Sequence, residues 1–164
     1  MSEPTERDEV LEKSFRAAMG NVAAAVSVVS TLVDGVPHGT TVSAFSSLSM
    51  DPPMLLVSLD NRSALLTKLH IGSVVGVSVL ASHQDQVALR FAQKGDDKFE
   101  GIAWQVEDDA PALIERHAWV SIVVEQLILA GDHTLVLGGV KAADTCDNAA
   151  LTYWRRSFGT HQVF

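Results

Sequence analysis

The apolar positions of the chain start at helical spacing and then change to the spacing of strands. Leu11, Phe15, Ala18 and Met19 follow at intervals of four, three and one, which puts them on one face of a helix over residues 8–19. Gly20 is the predicted stop, because a glycine past a helix end can take the left-handed conformation. AAAVSVVSTLV, residues 23–33, is rich in β-branched residues and reads as a strand. DGVP is a turn signal, and HGTTVSAF, residues 38–45, is the returning strand of a hairpin. Pro52 and Pro53 donate no ladder hydrogen bond and mark a boundary before the apolar strand MLLVSL, residues 54–59.

Further along, SALLTKL (63–69) is predicted as a short helix with Ser63 as its N-cap. SVVGVSVL (73–80) alternates like a strand, and HQDQVALRFA (83–92) reads as a helix. QKGDDKFEG reads as a polar loop. A long strand over 117–130 turns at GDH into a second strand over 134–143. Tyr153, Trp154 and Phe158 make the tail too aromatic to be disordered. The sum is about six or seven strands with two or three helices, joined mostly by short turns. That pattern predicts a mainly β fold, an antiparallel sheet or barrel with peripheral helices. One domain over 8–164 is expected, with residues 1–7 loose.

Composition narrows the partners. The chain has 164 residues, 47% apolar and 20% charged, with a formal net charge of −8. Such a chain repels nucleic acid and anionic membrane overall. Few charges on a small domain leave apolar surface in need of cover, so an oligomer is expected. The single cysteine, Cys146, allows no intrachain disulfide and suits a reducing cytoplasm. The polar, acidic start MSEPTERDEVLEK is unlike a signal peptide, and no apolar run reaches the ~18–20 residues of a membrane span.

Candidate chemistry is sparse. The six histidines (38, 70, 83, 117, 133 and 161) show no zinc-site spacing, so no metal is predicted. There is no GxSxG, and Cys146 lies far from any matched histidine. No GxGxxG fingerprint supports a Rossmann site. In DNRSALLTKL, Arg62 and Ser63 stand where a strand hands over to the predicted helix. A helix start offers free N–H groups and a positive dipole end to an anion. An N-cap beside a solvated arginine is the plainer alternative. KGDDKFEG by composition is a solvated loop, and GDH by itself is a turn bearing a histidine.

Taken in order, SFRAAMGNVAAAVSVVST, HGTTVSAFSSLSMDPPMLLVSLDNRS, VSVL, RFAQKGDDKFEGIAW, GDHTLVLGGV and LTYWRRSFG resemble the flavin reductase family with the FMN-binding split-barrel fold. These are the small reductase components of two-component flavin monooxygenase systems. The resemblance covers roughly residues 14–159, and its A-F-S-S-L-S-x-D-P-P core is the most specific part. It implies an antiparallel split β-barrel that uses NADH or NADPH to reduce FMN or FAD, forms a homodimer and supplies a partner monooxygenase. It implies that Thr41, Ser43, Ala44, Ser46 and Ser47 lie along the isoalloxazine edge and ribityl chain. Arg62 and Ser63 fall where the family holds the flavin phosphate, and Phe91 and Lys98 near the phosphate or adenine side. His133 matches the GDH histidine placed near the nicotinamide.

The chain departs from the family pattern at three places. Ala24 and Ala25 replace a frequent Thr-Gly pair. Leu65 replaces a threonine two residues past the phosphate serine. Ser78 stands for a frequent asparagine among the cofactor-binding positions. Leu65 removes one phosphate hydroxyl. A flavin-binding sensor or carrier without reductase turnover is the alternative function, and the GDH segment speaks against it.

Overall fold

The computed structural model describes residues 6–164. The expectation for residues 1–5 lies outside the described residues, whereas Arg7 is already helical. Helix α1 (Glu6–Met19) ends without a left-handed glycine. The Gly20 N–H donates to Arg16 O, and the Asn21 amide donates to Ala17 O, so the asparagine side chain closes the last turn. The apolar stripe is real, but the chain does not cover it: Leu11, Phe15 and Met19 are all at least half exposed.

The strand expected over 23–33 splits at Val26. β1 (Ala24–Ala25) pairs with β11 (Leu151–Trp154), which pairs with β12 (Ser157–Thr160). β2 (Ser27–Val33) instead enters the main sheet and pairs with β3 (Val36–Val42). Asp34 and Gly35 connect them with positive φ at both positions, 51° and 79°. This is the hairpin turn whose twist matches that of the flanking strands.

The returning strand ends at Val42, and a new one, β4 (Phe45–Met50), begins two residues later. β5 (Pro53–Asp60), β6 (Val74–Val79), β9 (Ala118–Ala130) and β10 (His133–Thr145) complete a seven-stranded antiparallel sheet. Its order is β3-β2-β6-β9-β10-β5-β4. Strands β3 and β4 therefore stand at opposite edges although only Ser43 and Ala44 separate them. Three Cα steps reach at most about 11 Å. The edges of a flat sheet of this size would lie about 29 Å apart, at ~4.8 Å per strand. The sheet must curl until its edges meet, and the result is the expected barrel.

Val29, Val57, Val75, Val77, Ile122 and Val136 form the principal buried core, and Leu65 and Leu69 join it from the connection after β5. That connection is not the helix predicted over 63–69. Only Leu66–Lys68 form a single 3-10 turn, and the Ser63 N–H donates to Asp60 O. Seven residues that must turn off a strand and also insert two leucines into the core have no room for an α-helix.

A second core lies under α2 (Asp85–Ala92) and the 3-10 turn Asp97–Phe99, where Val28, Leu80, Phe91, Phe99 and Leu151 pack together. A third lies under a hairpin that the sequence pattern did not reveal, β7 (Trp104–Glu107) and β8 (Ala110–Leu113). Arg116 grips this hairpin through two bonds to Glu107, 2.9 and 2.7 Å, and one to Leu113 O. The two side chains are only 8% and 24% exposed. Removing one partner of such a pair leaves a desolvated charge behind. Arg116→Ala is therefore expected to cost about 3 kcal/mol, read as a lower urea midpoint with an unchanged m-value.

Among the described residues, no helix is long and apolar enough to cross a membrane.

Candidate functional site

A groove of about 620 Å³ opens where β3, the end of β5, the following connection and the loop after α2 converge. β3 supplies His38, Gly39 and Thr40. The end of β5 and the 3-10 turn supply Asp60, Arg62, Ser63 and Lys68, and the loop supplies Lys94, Asp96 and Lys98.

The segment read as a solvated loop is built into this wall. Arg90 on α2 donates to the carbonyls of Lys98 and Asp97, both at 2.9 Å, which pins the 3-10 turn. Lys98 is half-buried, and its Nζ donates to Gly39 O at 3.2 Å and Phe91 O at 3.0 Å. Burial lowers its pKa from the usual lysine value, and nearby Asp96 offsets part of that. Lys98 thus ties loop, helix and β3 together while lining the groove.

Arg62 reaches the groove already engaged. Its Nε and Nη2 donate to the two carboxylate oxygens of Asp60, at 3.0 and 2.7 Å. The Arg62 backbone N–H also donates to Asp60. These bonds, with a smaller contribution from His133, hold the Asp60 carboxyl far below the usual carboxylate range. Ser63 lines the groove without a helix start behind it.

His133 opens β10 directly opposite Asp60 in the register. Its Nδ1 lies 2.7 Å from Asp132 Oδ1, and this contact lowers the Asp132 pKa. Asn61 stitches the two turns together. Its amide donates to Gly131 O, its backbone N–H to Asp132 O, and its Oδ1 accepts from Thr134 Oγ1. GDH and DNRS, far apart in sequence, thereby form one patch at the rim of the groove.

Of the residues singled out from sequence, Arg62, Ser63 and Lys98 line the groove and His133 stands beside Asp60. Thr41, Ser43, Ala44, Ser46 and Ser47 lie outside it, along β3, the two-residue link and β4. Ser43, Ala44, Ser46 and Ser47 are exposed. Thr41 donates its hydroxyl to Ala88 O at 2.6 Å, a bond that anchors α2.

Two of the positions lie in the interior. Ser78 is fully buried and accepts the Leu113 N–H, so it holds the β7–β8 hairpin. Phe91 is also fully buried, edge-on to Phe99 at 4.8 Å between ring centroids, and supports the groove from beneath Gly39. His38, Lys68 and Lys94 line the groove without having been singled out. Their signal was weak, because a lone histidine in a strand and lysines in polar segments carry no spacing pattern.

The volume lies within the usual range of ligand pockets. Three lysines and a histidine converge on it, a donor set suited to a phosphate. The arrangement fits a phosphorylated ligand.

Comparison with known proteins gives a consistent picture. A family described as "Flavin reductase like domain" matches residues 19–162. The reductase component of a flavin-dependent trigonelline monooxygenase from Acinetobacter baylyi is 33% identical over 90% of this chain. The chain spans 48% of that relative's length. A flavin reductase from Pseudomonas putida is 32% identical over 88% of this chain and 87% of its own. Among solved structures, an NADH:FAD oxidoreductase of Streptomyces globisporus in complex with NAD and FAD fragments superposes with a TM-score of 0.87 at 25% identity. The match covers 99% of this chain and 98% of that one.

Proposed function

Because the chain belongs to the flavin reductase like family, which spans residues 19–162, we propose that it uses NADH or NADPH to reduce FMN or FAD for a separate monooxygenase component. The observation that carries this reading is the cationic groove with the Asp132–His133 turn at its rim. When bound, the flavin supplies N5 as the acceptor of a hydride from nicotinamide C4. The chain's own work is to bind and orient, since the cofactors carry the chemistry. Lys98, Ser63 and Arg62 hold the phosphate end. The small residues Thr41, Ser43, Ala44, Ser46 and Ser47 let backbone and hydroxyl groups approach the ring. Asp132 fixes the His133 ring through Nδ1 and leaves Nε2 as the atom that orients the nicotinamide. The test is oxidation of NADH and NADPH, followed at their own absorbance, with FMN and with FAD. Flavin binding without turnover in all four pairings would leave only a carrier.

His133→Ala is expected to raise the KM for the nicotinamide nucleotide or slow hydride transfer, with flavin affinity unchanged. Stopped-flow reduction of pre-bound flavin separates the two. Unchanged values for both would reject the role.

A second copy of the chain completes the reading. Leu11, Phe15 and Met19 on α1, and Leu127, Ile128 and Leu129 on β9, are exposed apolar side chains. A homodimer covers such surface, and sedimentation at micromolar concentration measures it. A monomer there would remove the proposal.

A further inference from the structure

Among the groups converging on the groove, one histidine side chain makes no hydrogen bond with the described residues. His38 lies on β3, half-buried, and lines the groove. Its imidazole has no hydrogen-bond partner among the described residues. The charged groups that share the groove come from two other elements. Asp60, Arg62 and Lys68 come from the end of β5 and its 3-10 turn, and Lys94, Asp96 and Lys98 from the loop after α2. Arg62 already pairs with Asp60, and Lys98 with two backbone carbonyls, each keeping further N–H donors for a ligand. The imidazole is thus a polar group lining a ligand-sized groove with its hydrogen-bonding capacity unused.

We propose that His38 takes up a proton from solvent as the phosphate of a flavin nucleotide enters the groove, so that flavin affinity is coupled to pH through this one side chain. The inference rests on the reading of the groove as the phosphate site. Without ligand, burial and the neighbouring Lys68 favour the neutral ring, and Asp96 offsets them only in part. A phosphate monoester brings a charge of about −1.5 to −2. That charge reverses the local balance and lets both ring nitrogens donate. The folded chain with ligand therefore has the higher His38 pKa. Affinity is greatest below the ligand-free pKa, falls as pH rises between the two values, and levels off above the ligand-bound one.

The experiment is an equilibrium titration of wild type and His38→Gln with FMN and with riboflavin, from about pH 5.5 to 8.5. The second ionisation of the FMN phosphate, near pH ~6, is common to both proteins and cancels in their ratio. The FMN dissociation constant of His38→Gln relative to wild type is expected to be near one at high pH. It is expected to rise to roughly tenfold at low pH, for a shift of about one pKa unit. The riboflavin ratio is expected to stay flat. The His38 ring signal, assigned by its loss in the variant, is expected to titrate below the ordinary histidine pKa in the free protein and higher in the FMN complex. A flat FMN ratio, or a His38 pKa that does not rise on binding, overturns the inference. The groove reading survives that result if FMN still binds more tightly than riboflavin. Equal affinity for FMN and riboflavin in wild type overturns the groove reading itself.

Discussion

Lys98→Met weakens FMN binding by roughly 10- to 100-fold, the expected loss for one charge-assisted hydrogen bond of about 1.5–3 kcal/mol. Two effects act together. The groove loses a cation, and the carbonyls of Gly39 and Phe91 lose the ammonium that joins them. The loop itself stays anchored, because Phe99 remains buried and Arg90 still holds the carbonyls of residues 97 and 98. The loss should therefore fall on the phosphate more than on the fold. Fluorescence titration with FMN and riboflavin checks this: FMN affinity should drop toward that of riboflavin, with the thermal midpoint lowered by only a few degrees for the two carbonyls left without the ammonium. Lys98→Arg keeps the charge, but its planar fork cannot reproduce both carbonyl bonds, so it should lie between the two. An unchanged FMN affinity in Lys98→Met would remove Lys98 from the phosphate site.

The largest effect on stability is expected at Gly76. A Cβ there would lie 2.0 Å from one Trp119 ring carbon and 2.6 Å from another. Trp119 is 1% exposed and packs with the fully buried Ala110 and Ala112. Gly76 stands in a cross-sheet row of small residues, between Ser30 and Ser121. The Ser30 hydroxyl donates to Pro111 O of the covering hairpin. The row forms a trough for the indole, and the hairpin lies over it. Gly76→Ala should cost about 3 kcal/mol or more, the upper range for overpacking, and lower the thermal midpoint by roughly 6–12 °C in a chain of this size. The double variant with Trp119→Phe should lose less than the sum of the two single variants, since the smaller ring frees the trough. Additive losses would show that the ring contact is not the cause.

Both sites show how far the sequence could be read. The Asp34–Gly35 turn, α2 and the long β9–β10 pair were legible because turn chemistry and period announce them locally. The β7–β8 hairpin was not. Its strands are four residues each, one carries Pro111, and its turn uses two aspartates, Asp108 and Asp109, at positive φ. The leucines of SALLTKL fall at helical spacing, yet Leu65 and Leu69 serve the core from a bare turn. Spacing over seven residues cannot separate those outcomes. Within the site, the Arg62–Ser63 and GDH segments drew attention, but their joining through Asn61 depends on a pairing 73 positions long. The burial of Ser78 and Phe91 was not legible: a motif gives a position along the chain, and whether the side chain faces the surface or the interior is decided by what packs over it.

The strand order also bears on synthesis. β3-β2-β6 and β5-β4 are hydrogen-bonded into one sheet only through β9 and β10. A nascent chain that has emerged no further than His117 holds two half-sheets tied by the Ser43–Ala44 link but not yet hydrogen-bonded through a shared strand. β6 and β5 each lack a neighbour there, and such open edges invite pairing with other chains. The β9–β10 hairpin is the keystone, so the most aggregation-prone interval of synthesis is the one before that hairpin has emerged.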